Sequence, residues 1–294
     1  MTRSLWRSSR HEDWDAQWRR YDDAVAAQQN NFKKDGLVAL DEWFRVALRA
    51  ALHDRDPAPF LTQEELKKLM EWKLKKGKWR PQLMKFVTSL SDAEVTAASK
   101  AALKALRGGL AASKTEPKTL APSQLKAAIE ALVSLKGVGP ATASAVLAAY
   151  DDAVPFMSDE ALEAVAAEIG ARKYTLPHYL ALAETLQTKV DWLNAQTKDT
   201  DNPWTPQRVQ LCLYAQVFAP VDSKSVKAET KTKQSVPKPA KRSLMSHRNN
   251  RSRRRKRARK PADCVGALDG ADLARLLSSG TRHTDYLSIC GDTR

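Results

Sequence analysis

The chain has 294 residues, of which 49 are basic and 34 acidic, giving a formal charge of +15, and 43% are hydrophobic. That length suits one large domain or two small ones. No apolar run approaches the roughly 20 residues of a membrane span, which excludes an integral helical membrane protein. The three cysteines and five histidines are too few and too scattered for a disulfide framework, a zinc site or an iron–sulfur cluster. A reducing compartment is expected.

Taken in chain order, residues 1–9 lack the apolar stretch of a secretory signal and read as a flexible N-terminus. The opening decapeptide carries Arg and Ser without acid, so a mitochondrial targeting reading also stands. Residues 10–219 read as an all-α body of about ten helices. Nothing there alternates like a half-buried strand. Trp14, Trp18, Tyr21 and Val25 form one apolar stripe. Leu40, Trp43, Phe44, Ala47, Leu48, Ala51 and Leu52 form a second, and Leu176, Leu180, Leu186, Val190 and Leu193 a third. Capping boxes are expected at Thr62 with Glu65 and at Ser91 with Glu94. Pro81 and Pro122 suit first helical turns, and Gly108-Gly109 should end a helix before a loop running to Ala121.

Residues 66–85 hold eight basic residues interleaved with Trp72 and Trp79. Two readings stand. In one, Leu66, Leu69, Met70 and Leu74 face a core while the lysines stay solvated. In the other, lysines of the helix and a loop of Lys78, Trp79 and Arg80 meet a nucleic-acid backbone, with Trp79 stacking or wedging between bases. The stretch also resembles one in an uncharacterised family of eukaryotic helical proteins, a likeness that implies no activity.

The most informative segment runs Leu135-Lys136-Gly137-Val138-Gly139-Pro140-Ala141-Thr142-Ala143. A helix from Ser123 to Ser134 leads in, and one of small residues from Pro140 to Tyr150 leads out. Glycine lets another backbone come close, and Pro140 loses nothing at a helix start. Free N–H groups at that start, helped by the helix dipole, form an anion cradle that needs no lysine. Such a cradle grips a phosphate without reading bases. An ordinary helical turn is the plainer reading.

The segment resembles the helix-hairpin-helix of DNA-repair proteins, Leu-Pro-Gly-Val-Gly followed by Thr-Ala, with Lys136 in place of the usual proline. The resemblance implies that the backbone around Lys136, Gly137, Val138, Gly139, Pro140, Ala141 and Thr142 holds one DNA phosphate. It also implies that carbonyls at Val133, Leu135 and Val138 hold a monovalent cation, as in several relatives. No other cofactor is expected.

Helix-hairpin-helix DNA glycosylases carry a catalytic aspartate about twenty residues beyond the second hairpin glycine. Asp159 stands twenty residues after Gly139. The likeness implies a carboxylate that stabilises developing sugar charge or activates water. Helix capping, shared with Ser158, is the plain alternative, and Glu160 is a weaker substitute for the catalytic role. Bifunctional members place an imine-forming lysine where this chain has Ala141, so a glycosylase here should be monofunctional. The usual Val-Asp-Thr-His-Val surround is absent.

From residue 221 onward the chain holds 19 basic and 7 acidic residues, a net +12 that leaves +3 for the body. Residues 220–262 read as a disordered linker. Arg248–Lys260 carries nine basic residues, with Arg253, Arg254, Arg255, Lys256 and Arg257 at its centre. A nuclear localisation signal recognised by import receptors, a nucleic-acid arm and a solubilising tail are all compatible with it. Residues 263–294 should be mostly disordered, with one short helix at 269–277. The sequence-level expectation is a nuclear DNA-binding protein that resembles a monofunctional base-excision glycosylase. A non-enzymatic DNA-binding module or scaffold is the alternative.

Overall fold

The computed structural model describes residues 4–110, 120–197 and 202–220. The linker, the Arg253–Arg257 cluster and the 269–277 helix lie outside them. Every regular element among the described residues is helical.

The body begins earlier than expected. Leu5–Arg7 forms a single 3-10 turn with Leu5 buried, and the Trp6 indole donates to Glu168 at 2.9 Å. Residues 4–9 are therefore held to the body rather than flexible. The first stripe falls on two helices, α1 (His11–Trp18) and α2 (Tyr21–Phe32). Arg19 and Arg20 between them keep near-helical dihedrals (φ −64, ψ −17 and φ −99, ψ 5). The apolar phase therefore carries across the break and hides it from periodicity.

The second stripe spans α3 (Leu37–Glu42), a π-turn at Trp43–Ala47, and α4 (Leu48–Asp54). The wider π-turn shifts the buried face to four-residue steps, Leu40, Phe44, Leu48 and Leu52. Ala47, expected on that face, is exposed. The remaining helices are α5 (Gln63–Lys76), α6 (Pro81–Thr88), α7 (Asp92–Leu110), α8 (Pro122–Val133), α9 (Pro140–Tyr150), α10 (Asp159–Ala164), α11 (Ala166–Ile169), α12 (Leu176–Gln196) and α13 (Pro206–Phe218). Both capping boxes form, at Thr62/Glu65 and Ser91/Glu94. Gly108-Gly109 lie in the last turn of α7, whose described residues end at Leu110.

Helix α9 is the structural axis of the site. Every residue from Ala141 to Tyr150 is buried. Its Ala and Ser side chains let α4, α5, α8 and α12 close around it, as expected of a helix without a polar face. Beside it, α13 packs on α1, α2, α10 and α12.

The end of α5 is anchored by a buried ion pair. Lys76 Nζ donates to Asp41 Oδ1 at 2.9 Å and to Tyr21 Oη at 2.5 Å. Asp41 also accepts from the Trp72 indole (2.9 Å) and from Arg45 Nε (2.9 Å). Burial works to raise the Asp41 carboxyl, but Lys76, Trp72 and Arg45 outweigh it and hold it below the ordinary carboxylate range. Asp41→Asn should therefore destabilise the fold by about 3–5 kcal/mol in denaturant titration, because Lys76 is left buried without its counter-charge. A group depressed in the folded state contributes above its unfolded pKa. Stability from Asp41 should then fall away as pH drops below about 4, and the variant should lose that acid limb.

Candidate functional site

A pocket of about 210 Å³ opens between three segments: the last turn of α5 with residues 77–80, the start of α9, and Phe156–Glu160. That is smaller than the roughly 300–1,000 Å³ of drug-sized ligand sites and closer to the scale of one base or sugar. Eight residues given a functional reading in the sequence line it: Lys78, Arg80, Gly139, Pro140, Ala141, Thr142, Asp159 and Glu160. Lys136, Gly137, Val138 and Trp79 do not. Val138 is buried, and Lys136 Nζ lies 5.1 Å from the Phe86 ring centroid. Trp79 stands beside the pocket, 51% exposed.

The two glycines of the α8–α9 corner do different work. Gly137 has φ +86, and a Cβ there would stand 2.6 Å from the Phe86 Cβ on α6. Glycine is thus required both for the left-handed backbone and for the approach of α6. Gly139 is extended (φ −104, ψ −179), and a Cβ there would meet nothing within 4 Å. Within the corner the Val138 amide donates to the Leu135 carbonyl at 3.1 Å. Among the described residues no acceptor engages the amides of Gly139 and Ala141, the groups a helix start leaves open.

Asp159 is tied to that helix start through the backbone before it. Ser144 Oγ on α9 donates to the Ala141 carbonyl at 3.1 Å and accepts from the Met157 amide at 2.9 Å. From α13, Gln207 Oε1 accepts from the Phe156 amide (2.8 Å) and Gln210 Nε2 donates to Ser158 Oγ (2.9 Å). Ser158 alone caps α10, accepting from the Ala161 amide at 3.2 Å. The Asp159 carboxylate is left to face the pocket rim. Its Oδ1 accepts from Tyr174 Oη at 2.6 Å, and its Oδ2 lies 3.2 Å from Arg172 Nη1.

The walls differ in charge. Lys73, Lys76, Lys78 and Arg80 come from one side, and Asp159 and Glu160 from the other. Burial raises the Glu160 carboxyl above its ordinary range, only partly offset by its own helix-start amide and by Lys76. Burial and the Asp159 contact lift the Tyr174 phenol to about 12. Burial, with Arg80 adding to it and Asp159 opposing, lowers the Lys73 ammonium to about 8. Lys73 fell within the basic helix singled out in the sequence, whereas Tyr174, Arg172, Ser144, Gln207 and Gln210 escaped the sequence reading. For the last three the signal was polar residues on otherwise apolar helical faces of α9 and α13.

Among the described residues no group of three or more His, Cys, Asp or Glu side chains could hold a metal ion. No family model, curated protein or solved structure matches this chain.

The asymmetry of the corner gives a stability test. Gly137→Ala should cost about 1–3 kcal/mol or more in urea unfolding, since the left-handed strain adds to the Phe86 clash. Gly139→Ala, with room and an extended backbone, should stay within about 0.5 kcal/mol.

Proposed function

We propose that the protein is a nuclear DNA-binding protein of the monofunctional base-excision glycosylase kind. The observation that carries this reading is the convergence on one small pocket of the open Gly139 and Ala141 amides, the Lys78–Arg80 loop and the Asp159 carboxylate. The amides hold a backbone phosphate, each charge-assisted bond contributing about 1.5–3 kcal/mol. A nucleotide turned out of the duplex enters the pocket, and Trp79, exposed at its edge, fills the gap in the stack. Asp159 then faces the sugar and stabilises the positive charge that develops at C1′ as the base departs. Ala141 occupies the position of the family's lyase lysine, so the corner itself supplies no nucleophile. By the same resemblance, the carbonyls of Val133, Leu135 and Val138 would offer a monovalent cation uncharged oxygen donors. Such an ion would brace the turn and take no part in the chemistry. The basic cluster Arg253, Arg254, Arg255, Lys256 and Arg257 directs nuclear import and adds sequence-independent phosphate affinity.

One observation favours a second reading, a DNA-binding protein without catalysis. Both Asp159 oxygens already have partners in Tyr174 and Arg172, and these compete with the charge the carboxylate would serve.

The discriminating experiment presents lesion-bearing duplexes to the protein at physiological salt, with excess undamaged competitor to absorb binding by the basic tail. Base release and retention are scored separately. Gly139→Asp should keep or slightly raise stability, because aspartate is a good helix cap, yet weaken lesion-duplex retention tenfold or more by placing a carboxylate where the phosphate sits. Asp159→Asn should abolish base release while retention persists. Retention without release from any lesion favours the non-catalytic reading. Unchanged retention by Gly139→Asp overturns the phosphate role of the corner.

A further inference from the structure

Helix α5 carries five lysines, and the structure sorts them. Lys67 pairs with Glu64 (2.7 Å), Lys75 with Glu71 (2.9 Å) and Lys76 with Asp41 (2.9 Å). Lys68 Nζ lies 4.5 Å from the centroid of the Trp43 ring. Among the described residues the Lys73 side chain alone of the five makes no hydrogen bond, ion pair or ring contact, and it lines the pocket together with Asp159 and Ala141. A half-buried lysine beside Arg80, with no carboxylate at ion-pair distance and only partial opposition from Asp159, is poorly placed to remain an ammonium, and its surroundings lower it to about 8. A substantial share of the amine is then neutral near physiological pH. The apolar walls, Leu74, Leu83, Phe156 and Met157, limit the water that would otherwise solvate the charge.

We infer that Lys73 is a nucleophilic amine of this pocket that condenses with an aldehyde, namely the ring-opened deoxyribose of an abasic site in DNA. This deepens the reading of the pocket as the receptacle of a flipped nucleotide, and it rests on that reading. The neutral Nζ attacks C1′, forming a C–N bond while the carbonyl electron pair moves to oxygen. One amine proton passes to that oxygen to give a carbinolamine, the second follows, and water leaves with the C–O bonding pair as the nitrogen lone pair closes the imine. Asp159, at the opposite wall, favours the protonated form of the imine. Readdition of water restores amine and aldehyde, so no other reactant is consumed. The chain thus holds an amine across the pocket from the corner, where Ala141 offers none, and because this imine is hydrolysed rather than carried on to strand cleavage the protein stays monofunctional in outcome.

The full-length protein is mixed with a duplex carrying one abasic site, reduced with borohydride, digested and mapped by mass spectrometry. The expected adduct is on Lys73. Lys73→Arg, which keeps the charge but forms no imine, and Lys73→Gln should both reduce trapped complex at least tenfold. Mapping of the unaltered protein keeps the test valid should a variant fold poorly. Adducts confined to other lysines, with Lys73→Arg trapping like wild type, overturn the inference. Unreduced retention of the same duplex against undamaged competitor reports on the pocket reading separately. Retention without a Lys73 adduct sinks the amine's role alone, and loss of retention sinks the reading beneath it.

Discussion

The pocket depends first on the Asp41–Lys76 pair. A lysine at the last position of a helix would ordinarily reach for solvent. Here it turns inward, with its ammonium 3.8 Å from the Tyr214 ring centroid and 4.8 Å from that of Tyr21. That draws the end of α5 into the body and creates a second demand, since the final carbonyls of a helix lack partners within it. Gln28 Nε2 donates to the Lys76 carbonyl at 2.8 Å, and Lys34 Nζ to the Gly77 carbonyl at 2.9 Å. With charge and carbonyls both satisfied, the chain leaves α5 in one direction. Residues 77–80 are delivered to the pocket as a short fixed segment. The ion pair is costly to bury and gains most of its value from this placement.

The opposite wall obeys the same logic at lower charge. The stretch before Asp159 is buried and irregular, so its amides need acceptors. Ser144, Gln207 and Gln210 supply the side chains that organise it, and Ser144 joins the first turn of α9 to the approach of α10 through one hydroxyl. The separation between the open amides of the corner and the Asp159 carboxylate is therefore set by buried hydrogen bonds rather than by a surface loop. Such a site can hold two groups in register without a ligand present.

These devices explain which parts were legible in the sequence. Helix starts at Pro81, Pro122 and Pro140 were readable because proline fixes the first turn whatever the surroundings. The all-helical class followed from apolar spacing. The break at Arg19–Arg20 was invisible because its dihedrals keep the helical phase, and the π-turn at Trp43–Ala47 because one wide turn barely disturbs a stripe. Gly137 and Gly139 looked equivalent in sequence. Only the approach of Phe86 from a distant helix separates a packing glycine from an open one. The five lysines of α5 were likewise indistinguishable until their partners, drawn from α3, the π-turn and α5 itself, were in place.

Asp159 and Glu160 are adjacent in sequence and opposite in circumstance. Glu160 is pushed by burial toward its neutral form, whereas the Asp159 side chain is 41% exposed and meets a guanidinium. Burial thus sets Glu160, pushed toward its proton-bearing form, apart from an exposed neighbour that meets a cation. The Arg172 contact is loose, because Arg172 is itself 38% exposed and shared with Glu163 at 3.5 Å. An exposed pair of this kind is worth no more than about 1 kcal/mol. In the proposed reading, a sugar cation in the pocket competes against a weak partner. Arg172 could swing to Glu163 without leaving a buried charge behind, and Tyr174 would keep the carboxylate aimed.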